Sequence, residues 1–214
     1  IPDYPIEDTE SEIFRLATAR TAAKEDISSF KEKVKSETDS NEAEIFEAHM
    51  MFLDDDSLIS LAEQEINTGK NAEAGWMKAV DFFAKQLESI PDPMFASRAM
   101  DVRDVGQRVV RHMMGLKQEV TKLTKPVIIT GRDLTPSDTV SLDKRMVLAF
   151  VTAEGGPTSH TAILAKAFGL PAVVGLGEEL LKVEEDAYFL VDGNSGVVVV
   201  NPEADEITAF TERQ

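Results

Sequence analysis

The hydrophobic period of this 214-residue chain changes once, near residue 122, so two kinds of core have to be built from it. From about residue 8 to 122 the apolar residues recur at helical spacing. Ile13, Leu16, Ala17, Ala23, Ile27, Phe30 and Val34 make one long stripe. Asp8, Thr9 and Ser11, with Glu10 and Glu12 beside them, suit its first turn. A polar stretch from Ser36 to Asn41 ends it. A second helix carries Ile45, Phe46, Met50 and Leu53 and stops near Asp54–Ser57. A third carries Leu58, Leu61, Ala62 and Ile66 and closes at Asn67–Gly69. A fourth runs from Ala72 to Leu87, with Trp76, Val80 and Phe83 on one side. Pro91-Asp92-Pro93 breaks the pattern. A fifth helix then turns Ala99, Val102, Val105, Gly106, Val109 and Met113 inward.

Past Lys122 the apolar residues come in short runs: Val127–Ile129, Met146–Val151, Ala172–Val174, Tyr188–Val191 and Val197–Val200. Such runs, punctuated by Gly131, Gly175, Gly177, Gly193 and Gly196, read as short buried strands. One clear helix begins at His160 and stops at Gly169-Leu170-Pro171, and a short one closes the chain around Ala204–Arg213. The fold class is therefore α+β in two domains, an all-α bundle followed by a compact α/β domain.

The net charge of −17 argues against nucleic acid, because phosphate backbones attract basic surfaces. The acidity is either a solvated helical surface or a field that steers a basic protein partner. There is no apolar run long enough for a transmembrane helix and no secretory signal pattern, so no membrane insertion is expected. The absence of cysteine fits a reducing cytoplasm. The chain opens at Ile1, which reads as a piece cut from something longer.

The strongest chemical signal is Gly155-Gly156-Pro157-Thr158-Ser159-His160, directly before the helical run Thr161–Phe168. Gly155 and Gly156 allow close backbone approach or positive φ. Thr158 or Ser159 can cap the helix and offer hydroxyls to phosphoryl oxygens. A helix start is the positive end of a dipole and favours phosphate. A neutral imidazole, with an ordinary pKa near about 6.5, is a competent nucleophile there. By spacing alone an ordinary capped helix with a histidine in its first turn is the commoner reading. No metal set is expected, since no second histidine lies one turn away and cysteine is absent. Thr135-Pro136-Ser137 follows a strand, as either a functional segment or a plain turn. Glu47–Phe52 is either buried core or an exposed Met/Phe docking surface, and His112 reads as a surface or structural residue.

The segment Gly155–Lys166, with Gly169-Leu170-Pro171-Ala172-Val173-Val174-Gly175, closely resembles the phosphohistidine segment of the PEP-utilising enzymes, which include pyruvate phosphate dikinase and PEP synthase. Two further stretches, Ala43–Met51 and Met100–Gly106, resemble the helical domain of Enzyme I of the bacterial phosphotransferase system, and Asp133–Ser137 fits it too. The resemblance runs over nearly the whole chain in the right order.

It implies a phosphoryl relay for sugar transport, in which His160 takes phosphate from phosphoenolpyruvate and passes it to the phosphocarrier HPr. Thr135 matches the threonine that holds the imidazole rotamer. Gly156, Thr158, Ser159 and Arg98 would contact phosphate. Glu44, His49, Met51, Phe52, Asp55, Leu58, Leu87 and Arg98 would bind HPr, whose basic face suits the acidic helices. The resemblance also implies a swivelling α/β domain made of residues 1–7 and 123–214, with the helical domain 8–122 inserted in it or preceding it. The barrel that binds phosphoenolpyruvate, carries Mg²⁺ and makes the full enzyme a homodimer is not among these residues. The piece itself is expected to be a cofactor-free monomer in the cytoplasm. Pro157 stands where other members often have Arg. Alternatives are the same module in a multidomain phosphotransferase subunit serving dihydroxyacetone kinase, or a non-catalytic acidic adaptor. This polypeptide should exchange phosphate with phospho-HPr but not use phosphoenolpyruvate unaided. Radiolabelled phosphoenolpyruvate with Mg²⁺ alone is expected to leave His160 unlabelled, and clear labelling contradicts that.

Overall fold

A computed structural model describes residues 2, 4–37, 44–116, 123–157 and 159–212. The chain divides into two compact units, residues 1–119 and 120–214.

The first unit is helical: α1 (Thr9–Glu37), α2 (Glu44–Leu53), α3 (Asp56–Asn67), α4 (Ala72–Glu88) and α5 (Pro93–Met113). The starts follow the expected chemistry. Asp8 accepts the amides of Glu10 and Ser11 at the head of α1. Asp55 does the same for Ser57 and Leu58 at α3. Pro93 opens α5, where its missing N–H costs nothing. Leu16, Ala23, Ile27 and Val34 from the α1 stripe are buried, as are Phe46, Leu53, Ile66, Trp76, Val80 and Val109. Of residues 1–7, expected with the α/β domain, Pro2 and Tyr4 bond instead to the helical unit. The Pro2 carbonyl accepts from Asn71 Nδ2 at 3.1 Å, and the Tyr4 hydroxyl accepts from Arg15 at 3.0 Å. The reason is a buried carboxylate set: Glu12 and Glu73, both on Arg15, leave polar edges that this short segment caps.

Central to this unit is α4, which packs on α3 and α5. Trp76 is fully buried, and its indole N–H donates to the Gly106 carbonyl at 3.0 Å. A Cβ on Gly106 would lie 2.6, 2.8 and 3.2 Å from the Val80 side chain. Only a bare Cα lets the two helices close.

The second unit holds a parallel three-stranded sheet of order β1-β2-β3, from β1 (Val127–Gly131), β2 (Val147–Thr152) and β3 (Ala172–Val173). Helices α6 (Pro136–Ser141) and α7 (His160–Ala167) make the crossovers. An antiparallel hairpin, β4 (Phe189–Asp192) and β5 (Val197–Val200), and α8 (Ala204–Thr211) follow. Phe150 packs with Leu134 and Ala165 in one core, while Val151 packs with Leu180, Phe189 and Val191 in another.

Two expectations change here. The hairpin is not buried like a parallel strand: in β5, Val197 and Val200 are exposed and Val198 packs against the core. Leu148 is 53% exposed inside the apolar run of β2 because the register slips there. Val127 pairs with Val147 and Ile128 with Ala149, leaving Leu148 as the extra residue of a bulge.

The α4–α5 contact gives a clear prediction. Alanine normally stabilises a helix interior over glycine by about 1 kcal/mol. Gly106→Ala is nevertheless expected to lower stability by about 1–3 kcal/mol, because Val80 is stiff and cannot swing away. Urea unfolding monitored by Trp76 fluorescence measures it, and a gain in stability refutes the contact.

Candidate functional site

The α/β unit gathers its polar groups where the parallel strands end. The strand β1 runs into Arg132-Asp133-Leu134-Thr135, and β2 runs into Ala153–Ser159. Loops at that end of a parallel sheet are free to vary while the strands hold their roots. Several bonds fix them. The Ala153 and Glu154 amides donate to the Gly131 and Arg132 carbonyls at 2.9 and 2.7 Å. The Glu154 carbonyl accepts from the Thr152 hydroxyl at 2.7 Å and from the Gly175 amide at 3.2 Å. Arg132 pairs with Glu178 and Glu154, and these bonds raise its pKa above the ordinary arginine range. All three groups are exposed, so the pairs orient the loop mouths more than they stabilise the fold.

His160 is the first residue of α7 and is partly exposed. Ser159 is its N-cap, extended at φ −67° and ψ 154°, with Oγ accepting from the Ala162 amide at 3.4 Å. Gly155 has φ +101°, and a Cβ there would sit 3.2 Å from Ser159 Oγ. Glycine is therefore required twice, by backbone angle and by the cap. Gly156, expected to share that role, has neither constraint: it is not in the left-handed region and an added Cβ meets nothing within 4 Å. Its carbonyl instead takes the Ser159 amide at 2.9 Å, an ordinary turn open to any residue. Thr158 lies outside the described residues.

Thr135 caps α6 in a reciprocal box. Its hydroxyl donates to Asp138 Oδ2 at 2.8 Å and accepts from the Asp138 amide at 3.2 Å, and its own amide donates back to Asp138 Oδ2 at 3.1 Å. Thr135-Pro136-Ser137 is thus a helix start rather than a plain turn. The residue that sequence reasoning missed is Thr161. It is fully buried, and its hydroxyl donates to Asp133 Oδ1 at 3.1 Å, fastening the first turn of α7 to the segment that leads into α6. A threonine inside a helical run carries no periodic signal, although its place directly after His160 could have drawn notice.

In the helical unit the sequence-derived partner residues separate into two groups. Phe52, Asp55, Leu58 and Leu87 come together along one groove of about 460 Å³, completed by Phe83, Ile90 and Val102. Arg98 lies one turn before Val102 on α5, partly exposed. Met51 is 72% exposed, a free apolar surface beside the groove residue Phe52 in sequence. His49 does not join them: it is 1% exposed, packed edge-on against Phe46, with Nε2 3.3 Å from Asp101 Oδ1. A helix turns about 100° per residue, so two positions separate the buried face from the open one. The side chain of Glu44 is outside the described part. His112, 2.7 Å from Asp26 Oδ2, is a structural pair as expected.

Comparison with known proteins adds the following. A family model described as PEP-utilising enzyme, N-terminal, matches residues 1–98, and one described as PEP-utilising enzyme, mobile domain, matches residues 123–196. The phosphoenolpyruvate-protein phosphotransferase of Listeria innocua serovar 6a is 34% identical over 207 residues, covering 96% of this chain and 36% of that protein. The multiphosphoryl transfer protein of Rhodobacter capsulatus is 43% identical over 171 residues, covering 79% of this chain and 21% of that one. A solution structure of an Enzyme I protein (nEIt) is 39% identical and superposes with a TM-score of 0.70, over all of this chain and 88% of that one. The chain therefore spans roughly a third or less of the length of these curated relatives.

The Thr161 fastening is open to a direct check. Thr161→Val keeps shape but leaves Asp133 without that donor, a loss of about 1–2 kcal/mol. Amide exchange in the first turns of α7 should speed up about five- to thirty-fold, while Thr161→Ser retains protection. Unchanged exchange in Thr161→Val counts against the role.

Proposed function

The chain belongs to the PEP-utilising enzymes, and from that membership we propose that it carries a phosphoryl group on His160 and exchanges it with the phosphocarrier HPr. The observation that supports this most strongly is the position of His160. It opens α7 behind a dedicated cap, with its backbone fastened through Thr161 and its side chain partly open to a partner. An N-terminal turn adds the dipole that favours phosphate.

In the proposed step an unprotonated His160 nitrogen attacks the phosphorus of phospho-HPr. The new N–P bond forms as the donor's N–P bond breaks, and the donor nitrogen keeps the electron pair. There is little acid–base work in such an exchange, so positioning and charge stabilisation carry it. The backbone amides of the capped turn and Ser159 Oγ are the groups proposed to hold the phosphoryl oxygens, with Thr135 keeping the loop beside α7 in place. HPr is proposed to dock on the groove of Phe52, Leu58, Phe83 and Leu87, steered by the acidic surface, with Arg98 approaching the phosphate at handover. Phosphoenolpyruvate use and Mg²⁺ are assigned to a further domain of the longer protein, and the setting to the cytoplasm. The described helices include none long and apolar enough to cross a membrane. The 43% identity to a multiphosphoryl transfer protein favours a second reading, the same exchange within a multidomain carrier, which differs only in what flanks the module.

Mixing the chain with phospho-HPr should place one acid-labile phosphate on His160, mapped by mass spectrometry. His160→Ala should accept none while still binding HPr in a titration. Labelling of the variant, or of another residue in the parent, refutes the assignment.

A further inference from the structure

Buried between α2 and α5 is a carboxylate with no part in the step just described. Asp101 is 0% exposed. Its Oδ1 lies 3.3 Å from His49 Nε2, and its Oδ2 accepts from Arg98 Nη1 at 3.2 Å. A carboxylate only accepts, so His49 Nε2 carries the hydrogen in that bond. Phe46 closes the other side of the imidazole, edge-on with ring centroids 5.9 Å apart. Placing an anion there is costly unless its partners are fixed. A hydrophobic pair would fasten α2 to α5 as well. What the carboxylate adds is direction: its second oxygen faces the guanidinium of Arg98, which is 43% exposed.

An exposed arginine normally samples many rotamers, and its surface pairs are worth little. Arg98 differs because one end of its pair cannot move. Asp101 sits one turn along on the same helix, gripped from behind by His49 on another. Arg98 and the groove residue Val102 are four residues apart and so share one helix face. We propose that Asp101 and His49 are positioning residues that hold Arg98 in one orientation at the groove, so that a partner-borne phosphoryl group meets a preset cation. This rests on the reading of Arg98 as the cation that meets phosphate. It also accounts for a histidine buried two residues before the exposed Met51.

The test is a double-mutant cycle on transfer from phospho-HPr, read as rate at saturation and as the concentration giving half that rate. Arg98→Ala should slow transfer by tenfold or more. Asp101→Asn should slow the saturated rate about tenfold and change the half-saturating concentration less than about twofold. In the Arg98→Ala background, Asp101→Asn should cost less than about twofold more. Nitrogen-15 spectra of arginine side chains should show the Arg98 Nε–H signal sharpened towards the flexible value in Asp101→Asn. His49→Leu, with Asp101 kept, is the second variant should Asp101→Asn fail to fold, and it should give a smaller loss that also vanishes without Arg98.

An equal loss in both backgrounds makes Asp101 merely a fastener of α2 to α5 and overturns the proposal. So does a normal rate in Asp101→Asn. A normal rate in Arg98→Ala instead overturns the role of Arg98, and the positioning role falls with it.

Discussion

The helical unit depends on how closely α4 can lie against α5. Val80 presses on the bare Cα of Gly106, and Trp76 reaches over to donate to the Gly106 carbonyl. With that contact made, Phe83 and Leu87 on α4 and Val102 on α5 line one groove with Phe52 and Leu58. The groove is therefore a consequence of packing in the core. A wider α4–α5 spacing would move Val102 and Arg98 away from Phe83 and Leu87, and the surface would lose its shape before the fold was lost.

In the α/β unit the corresponding demand is rigidity at the mouth of a loop. On the proposed reading the histidine must be open to accept phosphate, and an open loop is usually a mobile one. Here the loop is short of freedom. Gly155 turns back with positive φ against the Ser159 cap, the Glu154 carbonyl holds Gly175, and buried Thr161 ties α7 to Asp133. Arg132 then joins Glu154 to Glu178 across the outside. Partly exposed His160 thus stands on a framework held by several bonds from neighbouring loops.

How much of this was legible in the sequence follows from the range of the forces involved. The long stripes of α1 and α5 and the Pro93 start are local, and they read directly. So do the strand runs and the helix opening at His160. The α+β class and the two-unit division need only the change of period. What failed to show was tertiary. The periodic pattern assigns charge to the outside, so the burial of Asp101 and Arg108 had no local signal. Within Glu47–Phe52 the pattern could not say which face α5 would cover, and His49 and Met51 went opposite ways. The bulge at Leu148 depends on β1, twenty residues away in sequence. The helix start at Thr135 did not show, because the box with Asp138 opens a helix of only six residues, too short to leave a stripe.

The two units meet their demands by the same means. In each, an aspartate, half-buried Asp133 or fully buried Asp101, accepts a hydrogen bond at or beside the side chain proposed to meet phosphate. Asp133 holds Thr161, and His160 precedes it; Asp101 holds Arg98 directly. Hydrophobic packing would have been the cheaper way to fasten these segments, but it sets distance without setting direction. For the proposed transfer, in which a phosphoryl group lines up between two nitrogens, positioning carries much of the catalysis. On the proposed reading, buried Asp101 is better understood as the cost of aiming Arg98 than as a contribution to stability.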